Sequence, residues 1–470
     1  MILLPLHAPQ QKNYNNNGSD MRKVLLALPL VASASWAGST YYAGTQAQPA
    51  YEKLLADLNQ AANGLFILES ASYSAGFTES FATTNVKLLH SDQPMLFQLR
   101  HDINHSPVGS DPQGARFSAS SITTTLAADS LQNEEIKEVL NKFDGGQPFT
   151  LYTDIGFTGN VTTDFHLHSL SMDYEQGNIS FDGGRFEATS DSGKIDVSGV
   201  IGQIAMDNGA GNLFNIAESN AQFDLQRVGT GIYTGEQRIT FPNISITDTA
   251  MGSTIGIADS VFSSQASLQG ENFDSTSSFS VAKILSPLPL NSFSWDAKIS
   301  GLSLTGLEKH TDTMNRFMRV SGSESNTATD IHGELMSAYK GLLNPGAEFT
   351  SDIVFTNDGG NVNGDFGIKF KGDGSVSGMD NMQTLADVLQ AISVNLDLQA
   401  DATAIEMTPA AMFMMHPVAQ QYLTSDGSRY SSNISVADLM LSVNGVQQSL
   451  EYYLGDELYE PLDLSSMADY

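Results

Sequence analysis

Histidine and its acidic neighbours are the residues with which this chain could most readily do chemistry, and they fall in two close groups. His101 and His105 stand in His101-Asp102-Ile103-Asn104-His105. On a strand they share a face but lie two side-chain repeats apart, too far to chelate one ion without a bend. A sheet edge or turn shaped by the imidazoles and Pro107 is the simpler reading. Asp164, His166 and His168 alternate with Phe165 and Leu167, so all three fall on one face of a strand. Such a His-x-His pair holds zinc only when a further ligand arrives from elsewhere; a solvated face is the expectation. Asp358-Gly359-Gly360-Asn361-Val362-Asn363-Gly364-Asp365 has the composition of a calcium loop. Its spacing fits neither the helix–loop–helix pattern nor the nonapeptide roll, and a hairpin turn accounts for it. Ser280-Val281-Ala282-Lys283 and Ser337-Ala338-Tyr339-Lys340 match Ser-x-x-Lys, but the accompanying Ser-Asp-Asn and Lys-Thr-Gly motifs of penicillin-recognising enzymes are missing. The chain has no cysteine, hence no thiolate nucleophile or thiolate metal site. It has no nucleophile elbow and no phosphate loop. The sequence assigns no catalytic, cofactor-binding or metal residue, and the expectation is a protein that is not an enzyme and carries no cofactor.

The elements that would position these residues are mostly strands. Tyr73 to Leu89, Met95 to Ile103 and Arg116 to Leu126 alternate apolar and polar side chains. From Phe149 to Ile284 the period is two throughout, with turn signals at Gly177-Asn178, Asp182-Gly183-Gly184, Asp191-Ser192-Gly193 and Asn208-Gly209. Phe293, Trp295, Ala297 and Ile299 alternate with Ser294, Asp296, Lys298 and Ser300, the pattern of an antiparallel strand with one dry and one wet face. Helical spacing is confined to short stretches. Tyr51, Leu54, Leu55 and Leu58 form one stripe, and Leu131, Ile136, Val139, Leu140 and Phe143 another, stopped by Gly145-Gly146. Leu307, Met314, Phe317 and Met318 form a third; Ile331, Leu335, Tyr339, Leu342 and Leu343 a fourth, ended by Pro345-Gly346; Met382, Leu385, Val388, Leu389 and Ile392 a fifth. After Thr408-Pro409 a last helix is expected to turn Met412, Met415, Ala419, Tyr422 and Leu423 inward. Its methionines could line a soft groove, but core packing is the default for such a stripe.

Charge sets limits on partners. There are 53 acidic against 22 basic residues, a net charge of −31, while charged residues are only 16% of the chain. That field repels nucleic acid, so no nucleic-acid partner is expected. Arg22 and Lys23 precede an apolar run from Val24 to Ala32, with no further charge until Glu52. This is the layout of an export signal with its basic end in the cytoplasm. Ala32-Ser33-Ala34 and Ser35-Trp36-Ala37 offer cleavage sites, whereas Val24 to Gly44 is near the roughly 20 residues that a spanning helix needs, so cleaved and anchored outcomes stay open.

Several short segments follow one another in an order that resembles the YdgA-like family (domain of unknown function 945), bacterial envelope proteins of unknown function. The leader is followed by Tyr42-Ala43-Gly44-Thr45-Gln46, a helix from Tyr51 to Gln60, and Leu68-Glu69-Ser70-Ala71-Ser72-Tyr73-Ser74-Ala75-Gly76-Phe77-Thr78-Glu79-Ser80. The segment from His101 to Pro107 is similar to the family's His-x-Ile-x-His-Gly-Pro, with Ser106 in place of Gly, and Val443-Asn444-Gly445 resembles a recurrent turn. Tyr73-Ser74-Ala75-Gly76 lacks the basic residue common before that Gly. The resemblance implies an inner-membrane anchor and a periplasmic β-rich body, and carries no reaction and no catalytic residue with it.

The expectation is therefore a mainly β (β-rich α+β) protein: a long curved antiparallel sheet with a few covering helices behind an N-terminal membrane or signal segment. Residues 1–20 are expected to be a mis-called or vector extension, 21–44 the anchor or signal peptide, 45–286 a β-rich region, 287–455 an α+β region broken off at Pro287-Leu288-Pro289, and 456–470 a frayed acidic tail. The expected place is the bacterial inner membrane with a periplasmic body, or the periplasm if the leader is cleaved. The expected partners are the inner membrane, a lipid or envelope protein, and a second copy of the chain. An apolar ligand held on a dry, concave sheet face is the leading functional expectation, and assembly through exposed strand edges the second. A metal-dependent hydrolase, which would need Asp164, His166 or His168 to meet another ligand, comes last.

Overall fold

A computed structural model describes residues 66–74, 79–88, 95–104, 108–111, 114–118, 120–131, 134–156, 160–174, 177–286, 289–321, 341–371, 384–408, 411–414, 416 and 419–460, with 51, 52, 55, 56, 59 and 158. The period-two pattern becomes one open, wholly antiparallel sheet of 24 strands. It begins with β1 (Phe66–Ser74), β2 (Glu79–Leu88) and β3 (Met95–Asn104). The short hairpin of β4 (Val108–Asp111) and β5 (Gly114–Phe117) stands apart as a second sheet. The main sheet resumes with β6 (Ser120–Leu126), β7 (Phe149–Ile155) and β8 (Val161–Leu167), paired in the order β1-β2-β3-β6-β7-β8. Between β6 and β7 lies helix α1 (Glu134–Leu140). The expected strand from Tyr73 to Leu89 is thus two strands, β1 and β2, whose ends face each other in a hairpin.

The main core belongs to this first part. Val86, Leu99, Ile103, Phe149, Leu151 and Ile155 are each at most 2% exposed, and Leu131, Leu140 and Phe143 from α1 and its flanks pack onto them. Gly145 and Gly146 stop this segment with φ of +67° and +68°, conformations that a side chain would disfavour. Tyr51, Glu52, Leu55, Ala56 and Asn59 are helical, and Tyr51 and Leu55 join the same core; Leu54 and Leu58 of the expected stripe lie outside the described residues.

Past β8 the strands fold over a crease. The chain forms β9 (Leu170–Tyr174), β10 (Gly177–Phe181), β11 (Gly184–Asp191), β12 (Lys194–Ile201), β13 (Ile204–Asp207), β14 (Asn212–Ile216) and β15 (Ser219–Gly229). β9, β10, β13 and β14 pair on one side of the crease, and β8, β11, β12 and β15 on the other. The line continues into β16 (Ile232–Asp248) and β17 (Ser253–Gln269), where the register passes over Pro242 and Asp259. Pro242 has no N–H to give the ladder, and Asp259 has φ +52°. Asp182-Gly183-Gly184, expected as a turn, is instead the bend by which β10 passes into β11. Gly183 sits at φ +84°, and a Cβ there would stand 2.6 Å from the Leu167 carbonyl oxygen. The true hairpins are at Asp191-Ser192-Gly193-Lys194, with positive φ at both Ser192 and Gly193, and at the Asn208–Gly211 loop.

The sheet then runs on through β18 (Asn272–Leu285), β19 (Ser292–Ser303), β20 (Leu343–Asn357), β21 (Gly360–Phe370) and β22 (Ile392–Asp401), each paired with the next. Two residues, Thr424–Ser425, make β23, which flanks β24 (Arg429–Ala437); β25 (Met440–Val443) and β26 (Val446–Ser449) end the sheet. β18 pairs with β19 across the Pro287-Leu288-Pro289 segment, so the sheet is continuous there.

Helix α2 (Leu304–Ser321) carries the third stripe, and α3 (Leu385–Ala391) the fifth, opened by a capping box between Thr384 and Asp387. Residues 331–340 of the fourth stripe lie outside the described residues. Gly341 and Leu342 are helical and the helix ends there, two residues ahead of Pro345-Gly346; Leu343 already begins β20, and Pro345-Gly346 lie inside that strand. The register to β19 slips there between Ser300 and Leu302, giving the proline a place without a ladder bond. The last helix is also corrected. After α4 (Ala402–Glu406), Ala411–Met414 forms α5 among the described residues, and the inward stripe is not formed, for Met412 is 76% and Tyr422 43% exposed. Met415 lies outside the described residues. Beyond α6 (Leu450–Leu454), the tail is anchored as far as Tyr459, for Leu458 is fully buried in a 3-10 turn against α3.

Candidate functional surfaces

Of the histidine candidates, His101 and His168 have local hydrogen-bond partners and His166 a ring contact. His101 lies under Tyr51, whose ring centroid is 5.9 Å away. Its Nε2 is 2.8 Å from Thr84 Oγ1 and its Nδ1 2.9 Å from Thr124 Oγ1, while Tyr51 OH is 2.6 Å from Thr84 Oγ1. One imidazole nitrogen donates and the other accepts, so the neutral ring satisfies both threonines. Withdrawal from water pushes its pKa down from 6.5 to about 4, against a smaller upward pull from Asp102. The network ties the helix of Tyr51 to β2, β3 and β6. His105 lies outside the described residues.

Asp164 and His166 lie on β8, His168 lies one residue past its end, and their contacts to Arg185, Tyr152 and Thr150 do not converge on one site. Asp164 is 1% exposed and accepts from Arg185 Nη2 at 2.9 Å and Nε at 3.2 Å. His166 stands edge-on to Tyr152 with centroids 5.4 Å apart, and His168 Nε2 is 2.9 Å from Thr150 Oγ1. Asp358-Gly359 is the expected hairpin turn, between Asn357 and Gly360. Ser280 to Lys283 is strand β18, and Ser337 to Lys340 lies outside the described residues. Among the described residues no three His, Cys, Asp or Glu side chains are grouped to hold a metal.

What register builds instead is two contrasting faces. Pairing from β15 to β22 aligns Ala221, Ile239, Phe262, Phe279, Trp295, Ile353, Gly364 and Leu398 in one cross-strand row. A parallel row holds Val281, Phe293, Phe355, Val362 and Ala400, with Phe293 4.9 Å from Phe355 and 6.0 Å from Phe279, ring to ring. Such pairs prefer these offset and tilted arrangements. The Trp295 indole N–H donates to Ser351 Oγ at 2.9 Å, so its polar atom is satisfied within the face. The helices pack at the margin: α2 on β19, α4 on β21 and β22, α3 on β22 and β24. Phe262, Phe279, Phe293, Trp295 and Ile353 stay only half-buried, and Phe355 and Leu398 are each 39% exposed.

The opposite face is wet. A trough of about 850 Å³ on it is lined by Glu187, Asp196, Asp224, Glu236, Arg238, Asp296, Lys298 and Asp352 among other residues. Beside the trough, Asp296, Asp352, Asp365 and Asp397 oppose one another directly on β19, β20, β21 and β22. Directly opposed side chains have Cβ atoms about 5 Å apart, and like charges there are destabilising. The Asp352 carboxyl is accordingly held above its ordinary range by desolvation, by a hydrogen bond with Asp365, and by the charges of Asp365 and Asp296. A group whose folded pKa is raised gives stability below the unfolded value that is lost as pH rises through the folded one. Asp352→Asn is expected to raise stability at pH 7 by about 0.2–1 kcal/mol, with the advantage vanishing at acid pH. Urea unfolding at the two pH values checks this, and a less stable variant at pH 7 would contradict it.

An open antiparallel sheet with one dry and one wet face, and surfaces rather than a convergent reaction centre among its described residues, defines the class of this protein. The chain belongs to the family described as bacterial protein of unknown function (DUF945), whose model matches residues 21–451. That agrees with the YdgA-like resemblance. It is similar to Protein YdgA of Escherichia coli (strain K12), with 24% identity over 187 residues, 36% of each chain, so the match spans about a third of that relative. No solved structure matches.

The signal that could have found the two faces was present strand by strand. The aspartate row had none, because its members meet only through register.

Proposed function

We propose that this is a non-enzymatic protein of the bacterial cell envelope that holds an apolar ligand, such as a lipid acyl chain, on the dry face of β15–β22. The observation that carries the reading is a face with more apolar side chains than its helices cover. Half-exposed Phe and Trp rows cost hydration free energy at roughly 25 cal/mol per Å², and a contiguous exposed apolar patch marks an interaction site. The leader Met21 to Gly44 supports an inner-membrane anchor or an exported, periplasmic body. Those residues lie outside the described ones, and no described helix is long and apolar enough to cross a membrane.

Titration of the full chain with a fluorescent fatty acid tests the reading. Saturable uptake, displaced by unlabelled fatty acid, is the expected result. A linear, non-displaceable signal would remove it. The second reading, assembly with other envelope proteins, is favoured by a different observation: β1 and β26 each have a strand on one side only among the described residues.

A further inference from the structure

Among the described residues β1 is an end strand, and end strands offer unpaired main-chain groups to any other strand. At Leu68 those groups are already taken. Asn59 Nδ2 donates to the Leu68 carbonyl at 2.7 Å, and Asn59 Oδ1 accepts from the Leu68 N–H at 2.6 Å. Both main-chain groups of Leu68 therefore point away from β2, and one carboxamide fills the two bonds that a neighbouring strand would make. Asn59 is held there by its own helix. Tyr51, Leu55 and Asn59 are spaced four apart and share one stripe. Tyr51 and Leu55 are 3% and 6% exposed, and Tyr51 OH bonds Thr84 Oγ1 and the Thr83 carbonyl. Past Leu68 the guard stops: Glu69, Ser70, Ala71 and Ser72 are exposed, and the ladder to β2 skips Ala71.

We propose that Asn59 guards a latent strand-pairing edge, and that β1, once Asn59 is withdrawn, pairs with β1 of a second copy of this chain. An antiparallel edge is self-complementary about a two-fold axis, so the same strand serves both partners. β1 carries one charge, Glu69, so two copies can approach there with little of the repulsion of a chain at −31. The inference is independent of the apolar-face reading and stands if that reading fails.

The test compares the full chain with its Asn59→Ala variant by hydrogen exchange and sedimentation. The Leu68 amide should exchange at least about tenfold faster in dilute variant, where the edge is unpaired. As concentration rises, the variant should reach twice the association state of the parent, and adding Ala71→Pro, which puts a donor-less residue on the edge, should reverse that. An unchanged Leu68 amide would overturn the guard, and an unchanged association state would overturn the pairing. Should Asn59→Ala fail to fold, Asn59→Asp keeps the acceptor for the Leu68 N–H and loses the donor to its carbonyl, and the same two readouts decide.

Discussion

Phe293→Asp is expected to abolish uptake of an acyl chain while leaving the sheet folded. Phe293 is the middle ring of a tilted trio, 6.0 Å from Phe279 and 4.9 Å from Phe355, near the centre of the dry face. The stability cost is bounded. Two aromatic contacts of about 0.5–1.5 kcal/mol each are lost, and the change to a poor strand former adds about 1 kcal/mol at most. That total is smaller than the roughly 5–15 kcal/mol by which folded proteins exceed their unfolded state. Phe293 is only half-buried, so the carboxylate reaches water in the free protein. A bound chain would have to cover it, and desolvating an unpaired charge costs far more than packing against the chain stabilises. Affinity should therefore fall by well over about tenfold, since 1.4 kcal/mol is one decade. Thr276→Asp places the same charge on the wet face of the neighbouring strand, in the trough, and should leave uptake unchanged. Equal loss in both variants would mean a general effect of charge and would contradict the assignment of the face.

The second large effect concerns His101. Its folded pKa of about 4 lies below the unfolded 6.5. As pH falls, the unfolded chain takes up its proton first, so the stability this group contributes is present above pH 6.5 and is lost progressively toward pH 4. The difference corresponds to about 3 kcal/mol. Its sign is opposite to that of Asp352. His101→Gln can still bond to the threonines but does not titrate. Urea unfolding from pH 7 to pH 4 should show the parent losing about 3 kcal/mol more than the variant over that range. Parallel curves would show that the imidazole is not held neutral.

Strand content and the two-faced character of the sheet were legible because alternation is local. Phe293, Trp295, Ala297 and Ile299 against Asp296 and Lys298 carry both in eight residues, and β19 keeps that arrangement. Turn chemistry was legible where positive φ and hairpin geometry coincide, as at Ser192-Gly193. It misled at Asp182-Gly183, where the same glycine freedom serves a bend between β10 and β11, because nothing local separates a reversal from a bend. Near Pro345-Gly346 a helix does end, at Leu342, but the Pro-Gly pair itself sits in a bulge of β20. His101, expected to shape a sheet edge or turn, lies instead inside the sheet between β2 and β6; its partners Thr84 and Thr124 lie on other strands and carried no signal. The aspartate row depends on pairing between distant strands, which no window of sequence contains. The Met412 stripe has helical spacing, but spacing does not tell which side faces water, and Met412 and Tyr422 are exposed.

Native mass spectrometry of the full chain, with lipid extraction of the same preparation, tests the central claim most directly. A stoichiometric co-purified apolar molecule, absent from the Phe293→Asp variant and retained in Thr276→Asp, is the predicted result. A ligand-free mass for the parent, equal to one chain or to an integral oligomer, would contradict the apolar-face function and leave the strand edges as the surfaces through which this protein acts.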